Sequence, residues 1–450
     1  MSNMDGQRDL TVGSPTRILF TFALPFFIAN LLQAMYMAVD LLVIGQFCTG
    51  AQSTAAVANG GQAMMLLMLF VIGLSTGMTV IIGKYFGEKD FESLQRFIGS
   101  SLTLFFLLTL FMTGLAFMLA PLLLKFINTP DEAYNGALTY IYICSAGLIF
   151  TIGYNVPSGI LRGVGNSVYP MICVAAACIC NIIGDVVLIG VFHLDATGAA
   201  ISTVASQAIG AVLTLGYLHY HPTIFKFHWN NLKLDKSHVA KLLAIGMPIA
   251  IQSILIDLSF MIIFAIVNEF GLNASAGYGV CGRLNGIILL PAMSMGMAMA
   301  PITAQNIGAK KFDRALEFFK LSVFYSTLIG IGLFVWMRYF PESAFAIFTR
   351  DPDVIAAGSQ YMRSFCFEIL VLGFVFSSNG FLNGSGHTRT SMMMNVIPTF
   401  AARIPFAWFV SRMAGATLYG IGFASPLASF ITVFLMAGYI STGLWKQERF

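Results

Sequence analysis

The stretch GEKDFESLQRF at residues 87–97 recurs 221 residues later as GAKKFDRALEF at residues 308–318. Two further pairs follow in the same order: LRGVGNSVYPM from Leu161 with LNGSGHTRTSM from Leu382, and TGAAISTVAS from Thr197 with YGIGFASPLAS from Tyr419. Chance similarity between apolar segments would not place three such landmarks in one order. The chain is therefore expected to contain two homologous halves, residues 1–221 and 239–450, joined by a linker at 222–238.

The composition indicates the class of protein. Apolar residues make up 57% of the 450 residues, charged residues only 10%, and the mean hydropathy is +0.81. A soluble globular protein carries about 25% charged residues, so the chain is expected to be a polytopic membrane protein. The net charge of +4, without a basic run, does not suggest a nucleic-acid partner. The seven cysteines show no zinc-ligand or CxxC spacing and are interpreted as small packing residues in a reducing compartment.

Twelve segments are long and apolar enough to span a bilayer, which takes about 20 residues of helix. Each half holds six, so the predicted fold is an all-α integral membrane protein with two homologous six-helix halves. Prolines inside spans (Pro25, Pro248, Pro291 and Pro301) would permit bends. The predicted spans lie near residues 17–46, 52–83, 94–121, 135–161, 168–192, 197–221, 240–270, 275–305, 316–340, 354–382, 391–411 and 415–443.

The distribution of Lys and Arg predicts the orientation, because short cytoplasmic loops carry an excess of both. With the N-terminus in the cytoplasm, 17 of the 24 basic residues fall on the cytoplasmic side, four outside, and three in or at the ends of spans. Both termini and the linker are therefore predicted to be cytoplasmic. The first apolar segment is too long for a cleavable signal peptide and is interpreted as a retained span.

The repeat also predicts a mechanism class. An even number of spans in each half makes the repeats parallel, which leaves a cleft between the halves for a substrate that is exposed to alternate sides as the halves rock. No GxxxxGK[ST] phosphate loop is present, so the driving force is expected to be an ion gradient rather than ATP hydrolysis. Because one chain completes the cleft, we expect a monomer.

Two acids interrupt apolar spans of the first half. A charge at the bilayer centre costs at least about 2.5–3.5 kcal/mol, so residues of this kind are rare and usually functional. Helical spacing places Gln33, Tyr36 and Asp40 on one face of the first span, and Asn181 and Asp185 on one face of the fifth. We expect the two acids to converge, since two neighbouring carboxylates in a low dielectric need a proton or a bridging cation.

Sodium is one candidate for that cation, because it suits hard oxygen ligands as calcium and magnesium do. The Asn181 amide, the Thr203 hydroxyl and backbone carbonyls near Ala199 would complete its shell. A proton would serve the same acids, so the choice between Na⁺ and H⁺ stays open. The alternative is a buried hydrogen-bond network that only packs the helices.

Four motifs in order add a family resemblance. They are VDLLVIGQF (39–47) in a proline-containing first helix, GKYFGEKD (83–90), LRGVGN (161–166) and GAAISTVASQ (198–207). This pattern resembles the multidrug and toxic compound extrusion (MATE) family, in its DinF-like bacterial branch. The resemblance implies a V-shaped transporter of the bacterial inner membrane that exports organic cations and amphipathic drugs in exchange for Na⁺ or H⁺, with no cofactor besides the coupling ion.

The resemblance also implies site residues. The DinF-like pattern has an acid in helix 1, Asn-x-x-x-Asp in helix 5 and Thr in helix 6, which match Asp40, Asn181, Asp185 and Thr203. It adds Asn155 in helix 4 to the cation-coupling set.

The second half has acids of its own, Asp257 in the seventh span and Glu368 in the tenth. We expect them to contact a substrate cation or bind a second ion. The alternative is a structural pair with Arg283 or Arg363, and the two positions depart from the NorM-like pattern of the family. Arg403 is expected to satisfy a helix end or to line the inner cleft.

The substrate surface is predicted from aromatic, amide and Met side chains. Tyr36 and Tyr140 would offer ring faces to a cationic drug, with Gln33 beside Tyr36. Met293 begins a Met-rich run that continues through SMGMAMAP (294–301), and flexible Met surfaces accept varied apolar shapes. Ordinary packing is the alternative for each Met.

Three rival functions are weighed against drug export. A flippase for a lipid or lipid-linked substrate usually has more spans and a basic cavity, whereas few intramembrane cations occur here. A channel would not need two rocking halves. An intramembrane enzyme is not expected, because HExxH and paired-aspartate protease motifs are missing from the sequence, and its GxSxG match, GLSTG at 73–77, lies inside an apolar predicted span. The expected partners are small-molecule drugs and membrane lipids.

Overall fold

The structure of the chain is a computed structural model, and it describes residues 7–47, 51–221 and 232–447. These residues form helices joined by short turns. In chain order the α-helices are α1 (Pro15–Phe47), α2 (Ala51–Glu88), α3 (Phe91–Phe126), α4 (Asp131–Ala146), α5 (Leu148–Gly163), α6 (Val168–Asp185), α7 (Asp195–Tyr220), α8 (Lys236–Asn268), α9 (Leu272–Ile288), α10 (Leu290–Gly308), α11 (Phe312–Tyr339), α12 (Pro341–Phe345), α13 (Pro352–Phe365), α14 (Ile369–Gly384), α15 (Thr388–Pro398), α16 (Ile404–Ser411), α17 (Leu418–Gly422) and α18 (Ala424–Ser441).

Several helices continue into tighter or wider turns. π-Helical segments cover Val186–Val191 after α6 and Thr399–Arg403 between α15 and α16. A 3₁₀ turn, Cys366–Glu368, joins α13 to α14, and another covers Leu444–Lys446. Because π segments are rare and concentrate at functional sites, their positions in the fifth span of each half direct attention to the side chains around them.

The number of membrane spans agrees with the sequence. By length and composition, the described residues contain ten helical segments able to cross a membrane, and twelve spans when each of two bent helix pairs counts as one. The bent pairs are α4 with α5, at 49°, and α9 with α10, at 46°. This confirms the predicted all-α fold with twelve spans. The second bend lies just before Pro291, one of the prolines expected to permit a bend, whereas the bend at Gly147 was not predicted.

The surface of the spans is apolar, as lipid contact requires. On α3, Phe106, Phe111 and Met118 are 54%, 65% and 76% exposed. Side chains of this size, exposed on one helix after another, are rare on soluble monomers and indicate a surface that faces hydrocarbon. The protein is therefore a multi-pass membrane protein.

Contacts divide the chain into two compact units. The first unit takes in residues up to Leu10 together with Ile28–Ala250, and the second Thr11–Phe27 together with Ile251 onward. Helices α1 and α8 thus each contribute to both units, and they divide close to Pro25 and Pro248. The predicted boundaries of the halves stay predictions. Residues 222–231 of the predicted linker lie outside the described residues. Helix α8 begins at Lys236, before the predicted end of the linker at residue 238.

Each unit has its own apolar core. In the first unit, α2 packs against α4 and α5, and α7 against α5 and α6; in the second, α14 packs against α10 and α11. The first core includes Ile44, Ala116, Ala137, Ile141 and Ala200. The second includes Val267, Met337, Phe345, Met362 and Cys366.

The repeat is visible in the backbone. Lys89 and Lys310, at equivalent positions of the first motif pair, have φ angles of 60° and 57°. Gly165 and Gly386, at equivalent positions of the second pair, have φ angles of 87° and 82°. A positive φ is uncommon, above all for residues other than glycine. The matching loops therefore share a backbone conformation as well as a sequence pattern.

Helices α2 and α8 meet within the first unit at glycines. A Cβ built on Gly77 would lie 2.6 Å from the Cα of Gly246, a separation that real Cβ atoms do not show. Gly61, on the same helix α2, has no atom within 4 Å of such a Cβ. The first glycine is therefore required by the helix contact, and the second is not.

We expect Gly77→Ala to lower the thermal unfolding midpoint in detergent, because the added methyl group forces α2 and α8 apart; overpacking of this kind costs about 1–3 kcal/mol. Gly61→Ala, the matched control, should leave the midpoint unchanged or raise it, since alanine favours a helix. Equal midpoints for the two variants would contradict the contact.

The N-terminus of α3 is capped by Asp90, whose Oδ1 accepts a hydrogen bond from the backbone N–H of Ser93 at 3.0 Å. Hydrogen bonds from the Ser93 side chain and backbone hold the pKa of Asp90 below its ordinary value. The ionised cap therefore stabilises the folded state above the ordinary aspartate pKa, and this contribution is lost as the pH falls through the lowered, folded-state pKa.

Asp90→Ala should therefore lower the free energy of unfolding by about 1 kcal/mol at neutral pH, as the loss of an N-cap usually does. Thermal melts across an acid titration should show the difference from the native chain shrinking once the pH falls below the ordinary aspartate range. Asp90→Asn keeps an acceptor and is the control. A difference that stays constant into acid would rule out the charged cap.

Candidate functional site

Helices α1 and α6 bring two carboxyl groups together inside the first unit. Asp40 lies on α1 and is 6% exposed; Asp185 ends α6 and is fully buried. The two carboxyl groups interact directly with each other. The structure thus places the two acids side by side, as the sequence analysis expected.

The oxygens of this cluster lack donors. Asp40 Oδ1, both carboxylate oxygens of Asp185 and Asn181 Oδ1 are buried without a hydrogen-bond partner in the described part of the chain. A buried polar atom without a partner costs about 1–3 kcal/mol, and a charged one costs more. Four such acceptors in one cluster therefore call for a proton, a cation or both.

Asn181 is held in the orientation that leaves its oxygen available. Its Nδ2 donates to Ser202 Oγ at 3.1 Å, and Ser202 Oγ donates to the backbone carbonyl of Asn181 at 2.8 Å. The amide nitrogen is thereby used on α7, while Oδ1 remains an acceptor. Sequence reasoning did not select Ser202, although it lies next to Thr203 in the quoted GAAISTVASQ motif.

Thr203 lies between the cluster and two phenol rings. The Tyr36 hydroxyl and Thr203 Oγ1 are 3.3 Å apart. Tyr140, buried with its ring against Gly60, also interacts with the Thr203 side chain and with Asp40. Thr203 therefore connects α7 to α1 and α4 next to the acids.

Asn155 has a different environment. Its Nδ2 donates to the Thr151 carbonyl of the same helix at 2.8 Å, and its backbone carbonyl accepts from Ser75 Oγ at 3.1 Å. These hydrogen bonds join α5 to itself and to α2. Membership of Asn155 in the cation-coupling set stays a prediction.

A small cavity adjoins the cluster within the first unit. It has a volume of about 150 Å³. Pockets that enclose a drug-sized ligand have volumes of about 300–1,000 Å³, so this cavity has room for part of such a ligand. Tyr36 belongs both to the cavity wall and to the acid cluster. The lining residues are Gln33, Tyr36, Tyr154, Val174, Ala177, Cys178, Ser206 and Gln207.

Glu368 and Arg403 form a buried ion pair in the second unit. Arg403 Nη2 lies 3.2 Å from Glu368 Oε1, and the two side chains are 6% and 5% exposed. The alternative partners predicted for Glu368 are therefore wrong: Arg363 pairs with Glu342 at 2.7 Å in an exposed position, and Arg283 is exposed. Arg403 was expected to satisfy a helix end or to line the inner cleft. Its guanidinium instead pairs with Glu368.

The remaining predicted substrate residues lie apart from any ion pair. Asp257 is half-buried on α8, with no ion pair or hydrogen bond to its side chain among the described residues. Met293, on α10, is 36% exposed, whereas Met295 and Met299 are buried core residues. Packing thus accounts for Met295 and Met299, and the roles of Asp257 and Met293 stay predictions.

A resident transition-metal centre is not indicated. Among residues 7–47, 51–221 and 232–447, no group of three or more His, Cys, Asp and Glu side chains could hold a metal ion. Cys144, Cys173, Cys178, Cys180, Cys281 and Cys366 are free thiols. The candidate site is therefore built from oxygen atoms of carboxyl, amide and hydroxyl groups.

If the donor-less oxygens hold a cation, the native chain should become more stable as Na⁺ is added or the pH is lowered. A ligand at 100 times its Kd stabilises the folded state by about 2.7 kcal/mol, so the thermal midpoint should rise measurably. Asp185→Asn should flatten this dependence. Asp131→Asn, an exposed isosteric change on α4, is the control, and an unchanged response in Asp185→Asn would contradict the site.

Comparison with known proteins follows the same division of the chain. A family model described as MatE matches residues 25–187 and 248–409. "Probable multidrug resistance protein YpnP" of Bacillus subtilis is 30% identical over 442 residues, 98% of each chain. "Probable multidrug resistance protein NorM" of Thermotoga maritima is 24% identical over 96% of this chain and 93% of its own.

Solved structures show the same fold. An outward-facing structure of a multidrug resistance MATE family transporter superposes with a TM-score of 0.91 over 99% of this chain and 100% of its own, at 18% identity. At that identity, the likeness concerns the fold alone.

Proposed function

The chain belongs to the MatE family, whose members are transporters and not enzymes, and from this premise we propose that it exports organic cations and amphipathic drugs in exchange for Na⁺ or H⁺. The observation that carries the proposal is the cluster of buried oxygens around Asp40 and Asp185, which lack hydrogen-bond donors among the described residues and adjoin a cavity. The names of the relatives, two of them multidrug resistance proteins, support the substrate class.

The coupling ion binds between the two acids. With the ion present, the negative charge is neutralised and the oxygen atoms of Asn181 and the carboxyl groups have a partner. Without it, two carboxylates in contact repel each other in a medium of low dielectric. This repulsion destabilises the ion-free state, and binding or release of the ion therefore shifts the conformation of the first unit.

The drug binds where the cavity meets the cluster. Gln33 and Tyr36 line the cavity, and the Tyr36 ring offers a face for a cationic group. Tyr140 is buried against Gly60 and interacts with the Thr203 side chain. Since Tyr36 contacts Thr203, a drug that moves the Tyr36 ring also changes the surroundings of the acids, and ion and drug are coupled through this side chain.

The proposal includes a place in the cell. The relatives named above are bacterial, and the excess of Lys and Arg on one side favours a protein of the inner membrane with both termini in the cytoplasm. A single chain provides both units, and we propose that it acts as a monomer.

Reconstituted liposomes test the transport reaction. We expect ethidium efflux from the native chain to be driven by an imposed gradient of either Na⁺ or H⁺, and the effective gradient identifies the ion. Asp185→Asn and Asp40→Asn should each lose gradient-driven efflux by tenfold or more, about 1.4 kcal/mol of coupling or above, because the remaining carboxylate no longer needs a bridging ion.

Asp131→Asn again provides the control, as an exposed aspartate with the same change. Efflux that survives in Asp185→Asn at the native level would remove the cluster from the coupling mechanism. If neither gradient drives efflux of any organic cation from the native chain, the drug-antiport proposal itself is overturned.

A further inference from the structure

The ion pair of the second unit is built from four separate elements. Glu368 lies on the 3₁₀ turn before α14, and Arg403 ends the π segment before α16. Ser429 of α18 donates to Glu368 Oε1 at 2.7 Å, and Arg403 Nη1 donates to Ser259 Oγ of α8 at 3.0 Å. The Arg403 guanidinium carbon lies 4.3 Å from the ring centroid of Phe260.

These partners match the chemistry of a guanidinium ion. A guanidinium is planar, weakly hydrated, presents several N–H donors and stacks on aromatic faces. Here one carboxylate oxygen and one hydroxyl accept its hydrogen bonds, and an aromatic face covers it. A carboxylate beside an aromatic ring is also the combination that would attract a free organic cation. In this protein the combination is already filled by a side chain of the chain itself.

Among the residues that the structure describes, the other groups that act on Glu368 carry no positive charge. Tyr278, Tyr361 and Cys281 interact electrostatically with the Glu368 carboxyl group, and each is neutral in its protonated form. Arg403 is the basic group that acts on it. Glu368 Oε2 and Arg403 Nε have no hydrogen-bond partner in the described part of the chain. The site still differs from that of the first unit, where no basic group among the described residues acts on the buried carboxyl groups of Asp40 and Asp185.

We propose that Arg403 is a tethered guanidinium that permanently fills a cation site built around Glu368, so that Glu368 exchanges no free cation and takes no part in ion coupling. The inference rests on the proposed antiport function. It assigns Arg403 as a positioning residue that keeps Glu368 out of the exchange, and it assigns the ligand class of the site as guanidinium and small organic cations.

Chemical rescue tests the site. Arg403→Ala removes the side chain and leaves the carboxylate, so its thermal midpoint should fall well below the native value and rise again when guanidinium chloride is added at millimolar concentration. Urea, a neutral molecule of the same shape, should not restore it. The double variant E368A/R403A lacks the carboxylate and should show no rescue by guanidinium.

Absence of rescue in Arg403→Ala, or equal rescue by urea or in E368A/R403A, would overturn the guanidinium site. Should Arg403→Ala not fold alone, expressing and purifying it with and without guanidinium answers the same question. Recovery of folded protein must then depend on guanidinium, and recovery that does not depend on it counts against the site.

Coupling is tested with E368M/R403M, which replaces both charges by apolar side chains. Replacing both members of a buried pair is often tolerated, whereas removing one leaves an unpaired charge. In the liposome assay we expect this variant to keep the native fold-increase of ethidium efflux on imposing the ion gradient. Arg403→Lys, which retains a cation beside Glu368, should also keep the native fold-increase.

The two proposals fail differently. Loss of gradient-driven efflux in both Asp185→Asn and E368M/R403M would overturn the exclusion of Glu368 from coupling and leave the first site intact. Loss in E368M/R403M alone would move coupling to the second unit and overturn both proposals. Loss in Asp185→Asn alone supports both. Retention in both variants would overturn the Asp185 proposal and leave Glu368 outside the exchange.

Discussion

A carboxylate inside a bilayer needs a counter-charge, and the arrangement of each unit follows from how that need is met. In the second unit, the guanidinium of Arg403 lies 3.2 Å from Glu368 and provides a permanent counter-charge. In the first unit, Asp40 Oδ1 and both carboxylate oxygens of Asp185 are buried without a hydrogen-bond donor among the described residues. The pair in the second unit carries its own counter-charge, whereas the acids of the first unit lack one until a cation or a proton binds.

Helix irregularities place these groups. Asp185 is the last residue before a π segment, Glu368 lies on a 3₁₀ turn, and Arg403 ends the second π segment. A π turn adds one residue to a helical turn, so the side chains that follow it point to a different face than a regular α-helix would give them. Within a membrane, backbone of this kind is tolerated where it is buried in protein, as all three residues are.

The sequence was sufficient for the spans and for the side chains that share a face within each helix of the candidate site, because both depend on local patterns. Apolar length defines a span, and spacing along one helix places Asn181 beside Asp185 and Tyr36 beside Asp40. The Glu368–Arg403 pair joins residues on different spans, and their register depends on the 3₁₀ and π turns, which leave no signal in the hydropathy. The signal that was available was simpler: an intramembrane acid and an intramembrane base in neighbouring spans neutralise each other more cheaply than either does alone.

In the proposed antiport, the position of Tyr36 provides the coupling between ion and drug. Its hydroxyl lies 3.3 Å from Thr203 beside the acids, and its side chain lines the cavity. Linkage makes such an influence reciprocal: if an ion between Asp40 and Asp185 weakens drug binding by some factor, the drug weakens ion binding by the same factor. An exporter needs this antagonism, because each ligand must leave when the other binds. In the proposed antiport, a second exchangeable cation at Glu368 would act without a side chain shared with this cavity, and the Arg403 partner would remove that uncoupled exchange from the cycle.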